Sequence, residues 1–523
     1  MIKTFNNDPK EFKCGSSDNS FGKKISKKPI LLLIAAATGS KVRNKAFGIK
    51  LPLLGYPAIG LGMIAALTPE RFDVQLVDEA NEPVPYGKKG DLALIVGQTH
   101  HIPNAYSISD RLRTEGTKVI LGGMHVTALP DEALLHADSV IVGEAEAVWQ
   151  EILDDFAKGS LKKKYFGRAV NLADLPPVRR DLFNKKFYYP GQMIETTRGC
   201  PVGCLFCGVQ NFFGTRFRVR PPEAVRRELM TVFGPRPHQT EWKKWLARHW
   251  HPDIPYFVER RLLYVMDSNF VSDLSHARAV LKVFKECDLR WFGHASFNLM
   301  RDDELVDLMA DSGCLGLNIG FESLSQMNLD HMHKFPNKTA EYAECIKRLH
   351  EREIGVMGTF MVGFDGDTVA VFDQIVDFVM ENRLETAFTL ILTPKPDTML
   401  FNQMNYQNRI FSHNWCDYDE GTVTFIPKNM TPKQLHSGMR SVWNRVYSWR
   451  GIRHRIMSKP SVRPFFYLPM NLGFHRAIRL ICSEKCWPAP HPEQWSATGR
   501  TDPNEEAGTR IEPGTSALRK RGG

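Results

Sequence analysis

Cys200, Cys204 and Cys207 stand at spacings of four and three in the run Cys200-Pro-Val-Gly-Cys204-Leu-Phe-Cys207. Three thiolates this close can hold three corners of an iron–sulfur cube, because thiolates are the usual ligands of such clusters. No fourth cysteine is near, so one iron would stay open to another ligand. The residues alone leave two other readings: three buried thiols, or half of a zinc site with a distant fourth ligand. Zinc knuckles favour paired Cys-x-x-Cys elements, and no second close pair lies in this region.

Further polar residues stand where apolar runs end. Asp267-Ser268-Asn269 follows one run, Glu322-Ser323 a second and Gly363 a third. In parallel barrels the active site lies at the carboxyl ends of the strands, although any one such residue serves equally well as a helix cap. Earlier in the chain, runs end in Gly97-Gln-Thr99-His100, Gly122-Gly123-Met-His125 and Gly143-Glu144-Ala-Glu146. Glycines there permit close backbone approach to a large flat ligand.

The elements that must position these residues follow from the apolar pattern. Residues 29–35, 72–78, 91–97, 118–123 and 139–143 read as buried parallel strands. Helices alternate with them, which predicts an α/β domain over 29–165: an open parallel sheet covered on both faces. Residues 166–184 read as a linker, since Pro176-Pro177 suits neither helix nor strand. Over 185–400 six βα-type units predict a partial (β/α)6 barrel. Residues 234–261, rich in Trp and His, read as an insertion in it, serving as a lid, a partner surface or simple packing. Residues 401–487 read as mainly helical, with Thr431 and Pro432 opening one helix. Residues 1–28 and 488–523 read as disordered.

Cys-x3-Cys-x-Phe-Cys after a strand resembles the signature of the radical S-adenosylmethionine (SAM, AdoMet) enzymes. The resemblance implies that Cys200, Cys204 and Cys207 bind a 4Fe–4S cluster whose open iron chelates AdoMet, with Phe206 near the adenine. It also implies AdoMet contacts at Asp267, Ser268, Asn269, Glu322, Ser323 and Gly363. The glycines of Gly358–Gly363 stand one residue further apart than the family's turn. Leu121-Gly-Gly-Met-His125, Pro130-Asp-Glu-Ala133 and Val142-Gly-Glu-Ala-Glu146 resemble the Rossmann- or flavodoxin-like cobalamin-binding domain of the B12-dependent members. By that likeness Gly97, Thr99, Gly122, Gly123, His125, Gly143 and Glu144 contact cobalamin. The Asp-x-His-x-x-Gly sequence of methionine synthase-type domains is absent, which implies cobalamin without a lower histidine; His100, His101 and His125 stay open as ligands or loop histidines.

The resemblance covers residues 30–480. It implies reductive cleavage of AdoMet to a 5′-deoxyadenosyl radical, hydrogen abstraction from an unactivated carbon, and methyl delivery from methylcobalamin. A flavodoxin or ferredoxin would supply electrons, and a small molecule or lipid would be the substrate. Oxidation or ring closure of a lipid or tetrapyrrole stays an alternative. No further catalytic residue is singled out.

Composition bounds the rest. The 523 residues suggest two or three domains, and 43% hydrophobic with 24% charged residues is a globular balance. No run approaches eighteen apolar residues, so no membrane span is expected. The polar start and scattered cysteines point to a reducing cytoplasm. The net charge of +10 admits an RNA-binding or RNA-modifying protein. Much of the excess lies near the ends, at Lys23, Lys24, Lys27, Lys28 and Arg519-Lys520-Arg521, as in solvated termini, so nucleic acid is not expected as a partner. A basic–apolar stretch at 463–481 leaves two readings, peripheral membrane contact or packing on the barrel. Cys482 and Cys486 are too few to make a metal site by themselves.

Overall fold

A computed structural model describes residues 28–37, 57–87, 90–184, 188, 191–235, 240–458 and 462–482. The disorder expected at 1–28 and 488–523 falls outside these residues, residue 28 apart. So does Cys486 of the C-terminal cysteine pair.

The first sheet has six parallel strands: β1 Ile30–Ala35, β2 Asp73–Asp78, β3 Leu92–Val96, β4 Lys118–Gly122, β5 Ser139–Gly143 and β6 Lys164–Gly167. Their order is β2-β1-β3-β4-β5-β6. β1 shows why the sequence folds so. Leu31 and Leu33 pack with Leu61, Ile64 and Trp149 on one face. Leu32 and Ile34 pack with Ile102, Ala105 and Leu112 on the other. A strand covered on both faces must be apolar throughout. β6 is an edge strand with Phe166 exposed, which makes its apolar run faint. It adds a sixth strand to the five read from the sequence and carries the sheet past residue 165.

The second sheet also has six parallel strands: β7 Gly191–Ile194, β10 Leu262–Val265, β11 Arg290–Ala295, β12 Cys314–Glu322, β13 Gly355–Val362 and β14 Thr386–Ile391, in the order β14-β13-β12-β11-β10-β7. Helices such as Leu274–Glu286 and Val371–Glu381 connect them, giving the expected βα units. A two-stranded hairpin, β8 Thr197–Arg198 with β9 Arg218–Val219, follows β7. The insertion holds two helices, Glu241–His249 and Ile254–Val258, and leaves Trp242, Trp245 and Trp250 more than half exposed.

Beyond the barrel, Thr431 and Gln434 form a capping box on the helix Pro432–Val446. The helix Pro464–Cys482 packs across the amino end of the second sheet. Its Tyr467 hydroxyl donates to the Leu315 carbonyl at 3.0 Å. A Cβ on Gly316 or Gly355 would lie 1.9 or 2.3 Å from that hydroxyl. The basic–apolar stretch thus packs one face, with Phe466, Tyr467 and Met470, on the barrel. Arg455, wholly buried, donates through Nη1 to the carbonyls of Leu384 and Glu385 and through Nη2 to the Val446 carbonyl and Asn471.

Candidate active site

β7 leads through Glu195 and Thr196 into the hairpin that carries the cysteines on its loop. Gly199 makes the entry turn at φ +87°, where a Cβ would fall 2.3 Å from the Arg216 carbonyl oxygen. Three bonds pin the loop. Gln210 Nε2 donates to the Cys200 carbonyl at 3.0 Å. Leu205 N–H donates to Met332 O at 3.1 Å, and Leu400 N–H donates to Leu205 O at 3.0 Å.

So tied, the loop presents Cys200, Cys204 and Cys207 to one cavity of about 590 Å³ within the second sheet. Among the described residues no three His, Cys, Asp or Glu side chains gather as around a single ion. The three thiols share one cavity lining, an arrangement open to the corners of a cube. Burial pushes the Cys204 thiol up to about 12 and raises that of Cys207. Without a metal's charge these are neutral thiols; bound iron would deprotonate them.

Phe206, Ser268, Asn269 and Glu322 line the same cavity. Asn269 is buried and its amide oxygen has no hydrogen-bond partner. A buried acceptor of this kind calls for a donor, and AdoMet's amino group fits it. Asp267, Ser323 and Gly363 do not form its wall. Asp267 instead accepts from Thr196 N–H at 2.6 Å, Thr197 N–H at 3.1 Å and the Thr196 hydroxyl, holding the hairpin's entry. Burial outweighs these bonds and pushes its carboxyl up to about 6. Ser323 Oγ accepts from Ser325 N–H at 3.1 Å. Gly363, at φ +102°, donates its N–H to Asp367 at 2.9 Å. These three residues stabilise their own turns.

The inner faces of the strands supply residues that reading strand ends alone misses. Tyr264 on β10 is hydrogen-bonded to His294 on β11, and burial pushes the imidazole down to about 4, so it is neutral at pH 7. Thr359 on β13 donates to Asn318 Oδ1 on β12 at 2.9 Å. Lys334 pairs with Glu322 at 2.9 Å. Phe292, Met357, Phe388, Leu390, Met470 and Phe474 make the apolar part of the lining. For those on strands, the alternation of side chains is the signal that places them; Lys334 comes from a loop, and Met470 and Phe474 from the helix Pro464–Cys482.

At the first sheet, Gly97 and Gly123 meet beyond β3 and β4. Gly123 has φ +105°, and a Cβ there would lie 3.5 Å from the Gly97 carbonyl oxygen. This bare backbone lip adjoins the β1–β3 switch point, where such sheets bind ligands, and it fits a broad flat ring such as a corrin. Gly122 ends β4, and Thr99 is buried in the turn after β3. Gly143 serves close strand packing: its Cβ would lie 2.4 Å from the Gly167 carbonyl oxygen. Glu144 is buried and joins the turn after β5 to the hairpin β8–β9, bonded to Arg198 Nη1 at 2.8 Å and Arg218 Nη2 at 2.5 Å. Glu146 adds a 2.7 Å bond to Arg198.

The His125 ring is enclosed, 3.4 Å from Glu132 Oε1 and edge-on to Trp415 at 5.1 Å between centroids. Its Nδ1 is buried without a hydrogen-bond partner. His100 and His101 pack ring against ring at 4.0 Å. The helix Met124–Ala128 packs on the helix Val209–Phe213, just after Cys207, so the glycine lip lies beside the cluster loop.

The model of the radical SAM superfamily matches residues 272–379. The chain is 32% identical over 470 residues to bacteriochlorophyllide d C-12(1)-methyltransferase of Chlorobaculum tepidum, covering 88% of this chain and 95% of that one. It is 28% identical to the bacteriochlorophyllide d C-8(2)-methyltransferase of the same organism, covering 82% and 93%. Among solved structures it is similar to the radical S-adenosylmethionine methyltransferase TsrM of Kitasatospora setae, with a TM-score of 0.60 at 17% identity over 86% of this chain and 98% of that one. It is also similar to the cobalamin-dependent radical enzyme OxsB, with a TM-score of 0.62 at 13% identity over 87% and 72%.

Proposed function

The chain belongs to the cobalamin-dependent radical AdoMet methyltransferases, and on that premise we propose that it methylates an unactivated carbon at the edge of a chlorin-class tetrapyrrole. One observation carries this reading. Three thiols, the unpaired Asn269 oxygen and an apolar wall meet in one cavity, beside the glycine lip of the first sheet. The two relatives named for bacteriochlorophyllide d are covered almost end to end, which supports a tetrapyrrole as substrate. The apolar lining suits the hydrophobic rim of such a ring.

When bound, the cluster with AdoMet supplies the radical that removes hydrogen, and the corrin supplies the methyl group. The chain's own residues bind and orient. Cys200, Cys204 and Cys207 hold iron. Ser268 and Asn269 orient the methionine end of AdoMet, and Phe206 packs by its adenine. Phe292, Phe388 and Leu390 exclude water from the reacting carbon. His294, neutral and bonded to Tyr264, adds no charge to that wall. Gly97, Thr99, Gly122 and Gly123 seat the corrin.

A flavodoxin or ferredoxin type of donor serves as reductant in this reading. Among the described residues no helix is long and apolar enough to cross a membrane. We place the chain in the reducing cytoplasm, with peripheral membrane contact as the route to a lipid-partitioned substrate.

The test is anaerobic incubation of the reconstituted chain with cobalamin, reductant, a bacteriochlorophyllide and AdoMet bearing a deuterated methyl group. The expected product is heavier by one labelled methyl and forms together with 5′-deoxyadenosine. An oxidised or ring-closed product without label would overturn methylation. Turnover of a lipid in place of the tetrapyrrole would overturn the substrate class.

A further inference from the structure

Lys334 lines the cavity together with the three cysteines but belongs to no part of their motif. Its place is fixed from both sides. Leu205, between Cys204 and Cys207, donates its N–H to Met332, two residues before the lysine. His333 then turns through the left-handed region at φ +58°. On the far side Asn337 Nδ2 donates to the carbonyls of Gly320 at 2.8 Å and Phe321 at 3.2 Å, near the end of β12. The ammonium thus placed is 2.9 Å from Glu322 Oε1, with the two side chains 17% and 10% exposed.

Glu322 is also held in the left-handed region, at φ +62°, and the register of β12 with β13 slips beside it. A Cβ on Gly320 would lie 2.3 Å from Glu322 Oε1 and 3.5 Å from Lys334 Nζ. The glycine of Gly320-Phe-Glu322 therefore leaves room for the ion pair. Backbone strain of this kind persists only where the surroundings enforce it. Here it holds a buried cation beside three thiols. The Glu322 carboxylate at 2.9 Å gives the ammonium a fixed counter-charge inside the fold.

We propose that Lys334, held in place by Glu322, is a positioning residue that sets the reduction potential of the iron–sulfur cluster. This rests on the cluster reading of Cys200, Cys204 and Cys207. Reduction takes one electron from the external donor and adds one negative charge to a partly desolvated cluster. No proton moves, because the lysine stays protonated throughout. A fixed cation stabilises the reduced form more than the oxidised one, and burial protects that field from salt. Net charge and solvent exposure are recognised determinants of cluster potentials.

The test is a redox titration of the anaerobically reconstituted chain, followed by electron paramagnetic resonance without AdoMet or substrate. Lys334→Met should keep its iron but show about a tenfold lower ratio of reduced to oxidised cluster at a fixed poise, equivalent to about 59 mV for one electron. Lys334→Arg should titrate close to the parent. Glu322→Gln, which keeps the cation and removes its counter-charge, should shift the other way. If Lys334→Met binds less iron, Glu322→Gln carries the same test with opposite sign. Unchanged titrations with full iron would overturn the proposal, as would a defect confined to AdoMet binding. Failure of the parent chain to bind iron would instead overturn the cluster reading.

Discussion

A carboxylate that is 1% exposed stays costly to charge even when it accepts three hydrogen bonds, and Asp267 is such a group. Its folded-state pKa of about 6 lies above the ordinary range. Its contribution to stability is therefore fully present below about pH 4 and lost as pH rises through about 6. Asp267→Asn keeps an acceptor for the two backbone N–H groups without the charge. The stability advantage of the parent over this variant should shrink by up to about 3 kcal/mol between pH 4 and pH 8, read from denaturant melts at each pH. A constant gap would show that Asp267 is charged in the fold at no cost. At the cysteines the readout is analytical. Cys204→Ala, purified anaerobically, should lose most of its iron and sulfide while keeping the parent's circular dichroism. A full cluster in that variant would remove Cys204 from the ligand set.

At the scale of elements, the hairpin β8–β9 and the turn after β5 are fastened by one buried network. Arg198, two residues before Cys200, meets Glu144, Glu146 and Glu195. Removing one partner of a buried ion pair costs roughly 3–5 kcal/mol, because the others keep uncompensated charge. Arg198→Met should lower the melting temperature and speed amide exchange in both the hairpin and the turn, as seen by hydrogen-exchange mass spectrometry; a change in only one would show that they are not coupled. Gly316→Ala sets a Cβ against the Tyr467 hydroxyl and should destabilise by about 1–3 kcal/mol. Tyr467→Phe in the same chain should recover part of that loss. Much of this arrangement is legible from sequence: the apolar runs reveal the parallel strands, and the close cysteines reveal the cluster loop. The glycines and acids at strand ends are less legible. Gly143 and Glu144 look like ligand contacts, yet one answers to Gly167 and the other to Arg198 and Arg218, partners 24 and more residues away. Lys334 is hidden for the same reason, since only the folded loop from Met332 to Asn337 brings it to the cysteines.

At the scale of the molecule, the C-terminal region touches both sheets. Trp415 donates to Glu132 at 2.9 Å and stands edge-on to His125 in the first domain. Tyr467 and Asn471 reach the barrel strands and the loop before β14. Because Trp415 closes the pocket around Glu132, a chain ending near residue 400 would leave that carboxylate and the His125 ring without their cover. The consequence concerns inheritance as much as folding. Although the sequence divides neatly into segments, buried contacts tie the segments to one another. A first domain grafted from a relative would work only if positions 132, 144 and 146 came with partners compatible with 198, 218 and 415, so these six positions should change together or not at all when such enzymes exchange parts.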